Sequence, residues 1–280
     1  MLGYHYPTTP FEPFWGFPTA TIDWCEENYL FSPYIAELVN STTNFGFILL
    51  ACHHIYSTIK NKHGLLYIFI SIGFASVGIG SFMFHSTLWY EHQMMDELPM
   101  VWVTAIPFGY IYGWGKTEPY HTLWNVGNFI STCIFTYVYI FIFRDPSFHQ
   151  VYYGLLNFLL IYKTYKVTQE VIIDKNARIK QYKLLTLAFS LFIFGFLIWN
   201  LDNAFCKTII GWRREYLGWP LGFLLEGHGW WHLFTGLGIY YFIVYNMILS
   251  TYMKGKNDEY EVVRYYGILV EVRLKKSKND

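Results

Sequence analysis

The sequence predicts an all-α fold, a seven-transmembrane helix bundle with its N-terminus lumenal and its C-terminus cytosolic. Three observations carry this. Of the 280 residues, 54% are hydrophobic and only 14% charged, against roughly 25% charged in an average soluble protein. Seven mostly apolar stretches approach the ~20 residues that cross a bilayer as a helix. Lys and Arg are spread unevenly over the connections between them. Formal net charge is zero, which leaves no basic footprint for nucleic acid. No internal repeat is evident, so a solenoid is not the alternative.

The stretches run 35–57, 65–88, 97–114, 122–143, 148–168, 184–205 and 222–250. The fifth is the least clear, because it carries Asn157 and Lys163. The connections are short and polar: Lys60–His63, the segment around Tyr90–Gln93, Lys116–His121, Arg144–Pro146, Asp174–Lys183 and Lys207–Trp219. Segment 1–34 is expected to be a lumenal N-terminal segment, 35–250 one helical transmembrane domain, and 251–280 a cytosolic tail. Segment 1–34 has no Lys or Arg. With seven spans it shares its side with Arg144, Lys207, Arg213 and Arg214, and the other side takes the remaining 16 of 20 basic residues. Basic residues accumulate on the cytoplasmic side, which sets the orientation. The first residues lack a basic region and are interrupted by Pro7 and Pro10, so the first span is expected to act as its own insertion signal. The basic run Lys275–Lys278 reads more simply as a solvated tail than as a retrieval signal.

Ionisable groups are costly in hydrocarbon, so a polar cluster inside spans marks a candidate functional site. Ser81 and His85 stand four apart near the end of the second stretch, hence on one helix face. His228 and His232 have the same spacing in Gly227-His-Gly-Trp-Trp-His232 of the last stretch. Asp96 opens the third. The alternating direction of the spans brings all five to the lumenal layer. Three histidines leave one open position on a tetrahedral zinc, the pattern of catalytic sites. Asp96 is then the candidate to take a proton from water and return it to a leaving amine. Ser81 is the candidate donor to a developing oxyanion. A serine-nucleophile triad is the weaker reading, since Ser81 lacks the Gly-x-Ser-x-Gly elbow. Asp202 and Glu226 either support the site or are solvated at helix ends. His53, His54 and His63 read as interfacial residues, and His92 as an exposed loop residue.

Asp23, Glu26, Asn28 and Glu37, with a backbone carbonyl such as that of Trp24, form an oxygen-rich set that suits calcium. From chemistry alone a solvated acidic loop is the plainer reading. Cys25 and Cys206 both fall on the expected lumenal side, where disulfides persist. They are either paired or two free thiols. Cys52 and Cys133 fall in apolar spans and read as packing residues.

Several motifs resemble the alkaline ceramidases in order and spacing, from about residue 13 to 250. They are Asp23-Trp-Cys-Glu-Glu-Asn-Tyr29 with Tyr34-Ile-Ala-Glu37, Gly80-Ser-Phe-Met-Phe-His-Ser-Thr-Leu88 with Met95-Asp-Glu-Leu-Pro99, Trp199-Asn-Leu-Asp-Asn203, and His228-Gly-Trp-Trp-His-Leu-Phe-Thr-Gly236. The length and the Pro- and aromatic-rich start look like the fungal branch. The resemblance implies a seven-helix enzyme of the endoplasmic reticulum or Golgi that hydrolyses the amide of ceramide to a sphingoid base and a fatty acid, and can run in reverse. It implies zinc at His85, His228 and His232, and catalytic roles for Ser81 and Asp96. It implies calcium at Asp23, Trp24, Glu26, Asn28 and Glu37, and a disulfide between Cys25 and Cys206. Alternatives are another intramembrane zinc lipid hydrolase, of the adiponectin-receptor type, and a seven-helix receptor without catalysis. Against a G-protein-coupled receptor, the third stretch ends in Tyr112-Gly-Trp-Gly115 and no proline follows Pro220 in the last.

Overall fold

The computed structural model describes residues 2–276, so the run Lys275–Lys278 lies partly outside the described residues. An irregular N-terminal segment leads into α1 (Leu38–Thr43), α2 (Phe45–Lys60), α3 (Leu65–Thr87), α4 (Tyr90–Gly113), α5 (Tyr120–Phe141), α6 (Pro146–Val171), α7 (Lys175–Ala204), α8 (Cys206–Trp212) and α9 (Gly227–Met253). A hairpin of β1 (Tyr260–Tyr265) and β2 (Leu269–Leu274) follows. The chain is therefore mostly helical. Helices α3, α7 and α9 are long and apolar enough to cross a membrane.

Each of the seven apolar stretches falls on helix, but several edges differ from expectation. The first stretch is interrupted at Asn44. In Asn40-Ser-Thr-Thr-Asn44 the side chains turn back on the backbone: Thr42 Oγ1 donates to the Leu38 carbonyl, Thr43 Oγ1 to that of Val39, and Asn44 Nδ2 to that of Asn40. Such bonds compete with a continuous helix. The segment Tyr90–Gln93 is the first turn of α4 rather than a loop. Leu88, at φ 53°, makes the reversal, and its carbonyl accepts from Thr19 and Ala20 N–H groups. Asp174 caps α7, accepting from the Ala177 N–H at 2.7 Å, so most of Asp174–Lys183 is helix. Most of Lys207–Trp219 is α8 followed by a π-turn at Arg213–Leu217. The last stretch begins with a 3₁₀ turn, Leu221–Leu225, before α9. Asn157 fits inside α6 because its amide donates to the Tyr153 carbonyl one turn back.

Two compact units divide the chain. The first comprises Met1–Leu49, Ser76–Glu97 and Ser190–Gly238, and the second Leu50–Ala75, Leu98–Phe189 and Ile239–Asp280. In the first unit the N-terminal segment is bound at several points. Tyr4 pairs with Trp219, Arg214 meets Glu27 with two nitrogens at 2.7 and 3.0 Å, and Cys25 is disulfide-bonded to Cys206 with Cα atoms 5.3 Å apart. Tyr29, Ala36, Phe84 and Leu88 pack together beneath it.

In the second unit the tail departs from the solvated chain expected. Val270, Glu271 and Val272 are buried. Glu271 accepts from Asn61 Nδ2 (2.8 Å), Tyr265 Oη (2.7 Å) and Lys60 Nζ (3.0 Å). Burial raises its carboxyl, and these bonds outweigh burial and hold it down to about 2. Tyr240 and Tyr241 donate to the Val270 and Ile268 carbonyls. The strand signal was present as two β-branched and aromatic runs around Tyr266-Gly267, both at positive φ. His54 is buried against Ser71 and His63 against the Val272 carbonyl, so both side chains are engaged inside the protein. Cys52 and Cys133 are exposed on their helices rather than packed.

Candidate metal centre

Three imidazoles converge in the first unit. His85 sits in the last turn of α3, and His228 and His232 in the first two turns of α9. Their ring centroids are 4.6–4.9 Å apart. One ligand atom from each lies within 4.8 Å of the others, and all three residues are buried. Among the described residues this is the one such grouping of His, Cys, Asp or Glu.

Each ring is fixed by a different neighbour. The backbone N–H of Glu37 donates to the His85 carbonyl at 2.9 Å, which sets the Glu37 carboxylate against His85 Nδ1. His85 Nε2 is left buried with no protein partner. Thr43 Oγ1 lies 3.0 Å from His232 Nδ1. His228 stacks on Trp24 at 4.4 Å, and its Nδ1 is also buried without a partner. Buried nitrogens normally find hydrogen bonds. Two rings held at Nδ1 and a third held by stacking, with orphaned nitrogens among them, fit a shared cation; such outer partners orient metal-binding histidines.

Ser81 lies one turn before His85 and is buried. Gly80 lets α4 come close: a Cβ there would stand 1.9 Å from the Met95 carbonyl oxygen. That approach brings the Asp96 carboxylate within hydrogen-bonding reach of Ser81. Asp96 lies in the second turn of α4 rather than at its start, because the helix begins at Tyr90. His92, on the same helix, contacts Thr87 Oγ1 at 2.6 Å and stacks on Trp89 instead of lying in an exposed loop.

Asp202 and Glu226 are buried, so helix-end solvation does not describe them. Asp202 accepts from the Gly227 N–H at the start of α9. Glu226 pairs with Arg213, which is itself fully buried and donates to the Cys25 carbonyl at 2.8 Å. Arg213 thus joins the disulfide loop to the residue two before His228. In the sequence alone Arg213 marks topology and nothing ties it to the site.

The acidic loop is partly ordered by its own bonds. Asn28 Nδ2 donates to both Asp23 oxygens at 3.1 Å. Both Glu26 oxygens accept from the start of α1, at Val39 and Asn40 (2.7 and 2.8 Å). Burial, and next the Glu37 charge, push the Glu26 carboxyl up to about 8. Asn28 Oδ1 and Glu37 Oε1 are buried without partners. The three carboxylates alone do not form a ligand group among the described residues. Glu37, expected at the calcium set, also touches the histidine centre, and Thr43 was not singled out. No sequence spacing links either residue to its histidine.

Three membrane-length helices and a buried three-histidine group beside a serine–aspartate pair define a helical membrane protein with a candidate metal centre. Comparison with known proteins identifies the family. The ceramidase family model matches residues 16–272, and the chain belongs to that family. It is 37% identical over 260 residues to alkaline ceramidase YPC1 of Saccharomyces cerevisiae, covering 87% of this chain and 81% of the yeast protein. It is 34% identical to alkaline ceramidase 3 of Mus musculus, covering 88% and 89%. Identity to the alkaline ceramidase of Arabidopsis thaliana is 29%, covering 95% and 96%. Like the family, the chain is an enzyme, a hydrolase of amide bonds.

Proposed function

We propose that this chain is an intramembrane, zinc-dependent amidase that cleaves ceramides to a sphingoid base and a free fatty acid. The convergence of His85, His228 and His232 into one buried group carries the reading. His85, His228 and His232 would hold the zinc. Bound there, zinc lowers the pKa of a water toward ~7 and polarises a carbonyl. Asp96 takes the proton of the attacking water and delivers it to the departing amine. Ser81 gives its one hydroxyl proton to the Asp96 carboxylate in the resting site, and once Asp96 has taken the proton of water the hydroxyl is free to donate to the oxyanion on the amide carbonyl. Glu37 and Thr43 hold the rings of His85 and His232 in one tautomer. Burial keeps bulk water from competing with the lipid amide. In a phase rich in fatty acid and poor in water, the same groups run the condensation.

Calcium fits the N-terminal loop through Asp23, the Trp24 carbonyl, Glu26, Asn28 and Glu37. The support is the pair of orphaned buried oxygens and a Glu26 carboxyl that would carry a proton at neutral pH unless a cation offsets its neighbours. The same reading takes all seven apolar stretches as spans, with the N-terminus lumenal and the tail cytosolic, in the endoplasmic reticulum or Golgi. The unequal distribution of Lys and Arg supports the orientation.

The test is product analysis by mass spectrometry. Purified protein receives phytoceramide, dihydroceramide and ceramide together, with and without a zinc chelator. Release of sphingoid base that stops with chelator and returns with zinc is expected, with about one zinc per chain. Full turnover in a His228→Ala variant without zinc would overturn it.

A further inference from the structure

In the second unit, sharing no residue with the histidine centre, a cavity of about 500 Å³ runs between α5 and α6, with Phe108 of α4 at its wall. That volume is typical of a small-ligand site, ~300–1,000 Å³. If each chain carbon takes about the ~30 Å³ of a liquid water, it holds one long acyl chain and not two.

The lining is ordered along its length. At one end stand Lys116 and Tyr120. At the other, Ser131 Oγ lies 3.3 Å from Tyr152 Oη. Between them the wall is mostly apolar, with Leu123, Leu155 and Leu159, and the amide of Asn128 donates to the Ala105 carbonyl at 2.9 Å. Eleven residues separate Tyr120 from Ser131, which at ~1.5 Å per residue is ~16 Å, about half the ~30 Å hydrocarbon core. The cavity therefore has the depth of one leaflet, with its cation at the end of α5. Lys116 Nζ lies 5.5 Å over the Trp124 ring and forms no ion pair among the described residues. Its neighbour Glu118 is engaged by Thr122 Oγ1 (2.7 Å) and His121 (3.2 Å). At Gly127, in the lining, a Cβ would meet nothing within 4 Å.

We propose that this groove binds one long-chain fatty acid, its chain between α5 and α6 and its carboxylate at Lys116. A single unpaired cation matches a single carboxylate. The choice of fatty acid among anions rests on the proposed reaction, which releases one.

The experiment uses the full chain in phosphatidylcholine nanodiscs, labelled with a diazirine-bearing palmitate and mapped by mass spectrometry. Labels are expected within 120–131 and 152–159, and unlabelled palmitate should compete them away. Gly127→Phe should remove most of the labelling, and Gly127→Leu part of it, at unchanged melting temperature. Lys116→Gln should weaken competition by palmitate about tenfold, as loss of one charge-assisted contact would. His228→Ala should keep groove labelling while losing hydrolysis, which separates this site from the reaction. Three results would each overturn the proposal: equal labelling by diazirine hexadecanol, stronger competition by phosphatidic acid than by palmitate, or labelling that survives Gly127→Phe.

Discussion

Thr43→Val tests how the metal centre is held. The Thr43 hydroxyl proton is committed to the Val39 carbonyl at 2.8 Å, so toward His232 Nδ1 at 3.0 Å the oxygen acts as acceptor. That fixes the proton on Nδ1 and leaves Nε2 free for a cation. Valine keeps the shape and removes this acceptor, leaving the Asn40 carbonyl as the ring's remaining backbone partner. A buried N–H left wholly unsatisfied costs about 1–3 kcal/mol, which bounds the loss from above. Loss of an outer partner of a metal ligand lowers affinity typically 10–100-fold, or ~1.4–2.7 kcal/mol. The second estimate lies within that bound, so zinc affinity of Thr43→Val should fall by about one to two orders of magnitude. Competition against a fluorescent chelator measures this directly, with no need for turnover. Thr43→Ser keeps the oxygen and should restore most of the affinity. The reasoning is refuted if Thr43→Val binds zinc within about twofold of wild type, or if Thr43→Ser is as weak as Thr43→Val.

Three further outcomes are expected. Asp96→Asn should keep zinc and fold but lose ~10²–10⁴-fold in rate, with Ser81→Ala milder, measured by sphingoid base release; near-normal turnover in Asp96→Asn would remove it from the mechanism. Calcium should raise the melting temperature of wild type, and Asn28→Ala should blunt that shift at unchanged zinc content; Asn28 is a cleaner probe than Glu37, which also touches His85. Glu271 has its carboxyl held at about 2 in the fold against an ordinary 4.5. A depressed carboxyl contributes stability above the unfolded value and loses it as pH falls through the folded one, so about 3 kcal/mol of tail docking should vanish between pH 4.5 and 2. Hydrogen exchange of residues 260–274, corrected for intrinsic rate, should show that loss on acidification, and Glu271→Gln should show it at neutral pH.

The sequence by itself determined what depends on near neighbours. Long apolar stretches commit the backbone to helix wherever they occur, because hydrocarbon tolerates no unpaired backbone groups. The four-residue spacings, Ser81 to His85 and His228 to His232, put each pair on one face without reference to the rest of the chain. Local polar chemistry moved the edge at Asn44, whereas the edge at Tyr90 is held from 71 residues away, by Thr19 Oγ1 accepting from the Tyr90 N–H.

Only the tertiary structure decided which distant residues meet. Glu37 and His85 are 48 residues apart, Thr43 and His232 are 189 apart, and no spacing rule connects them. Nothing near Arg213 or Glu226 in the sequence shows that the fold buries them as a pair beside the disulfide. The tail looked soluble because its charges dominate its composition. Glu271 is nevertheless buried, since Asn61, Tyr265 and Lys60 supply the hydrogen bonds that replace its water. Composition reports the cost of burying a charge; whether a partner waits to offset that cost is a property of the packed chain.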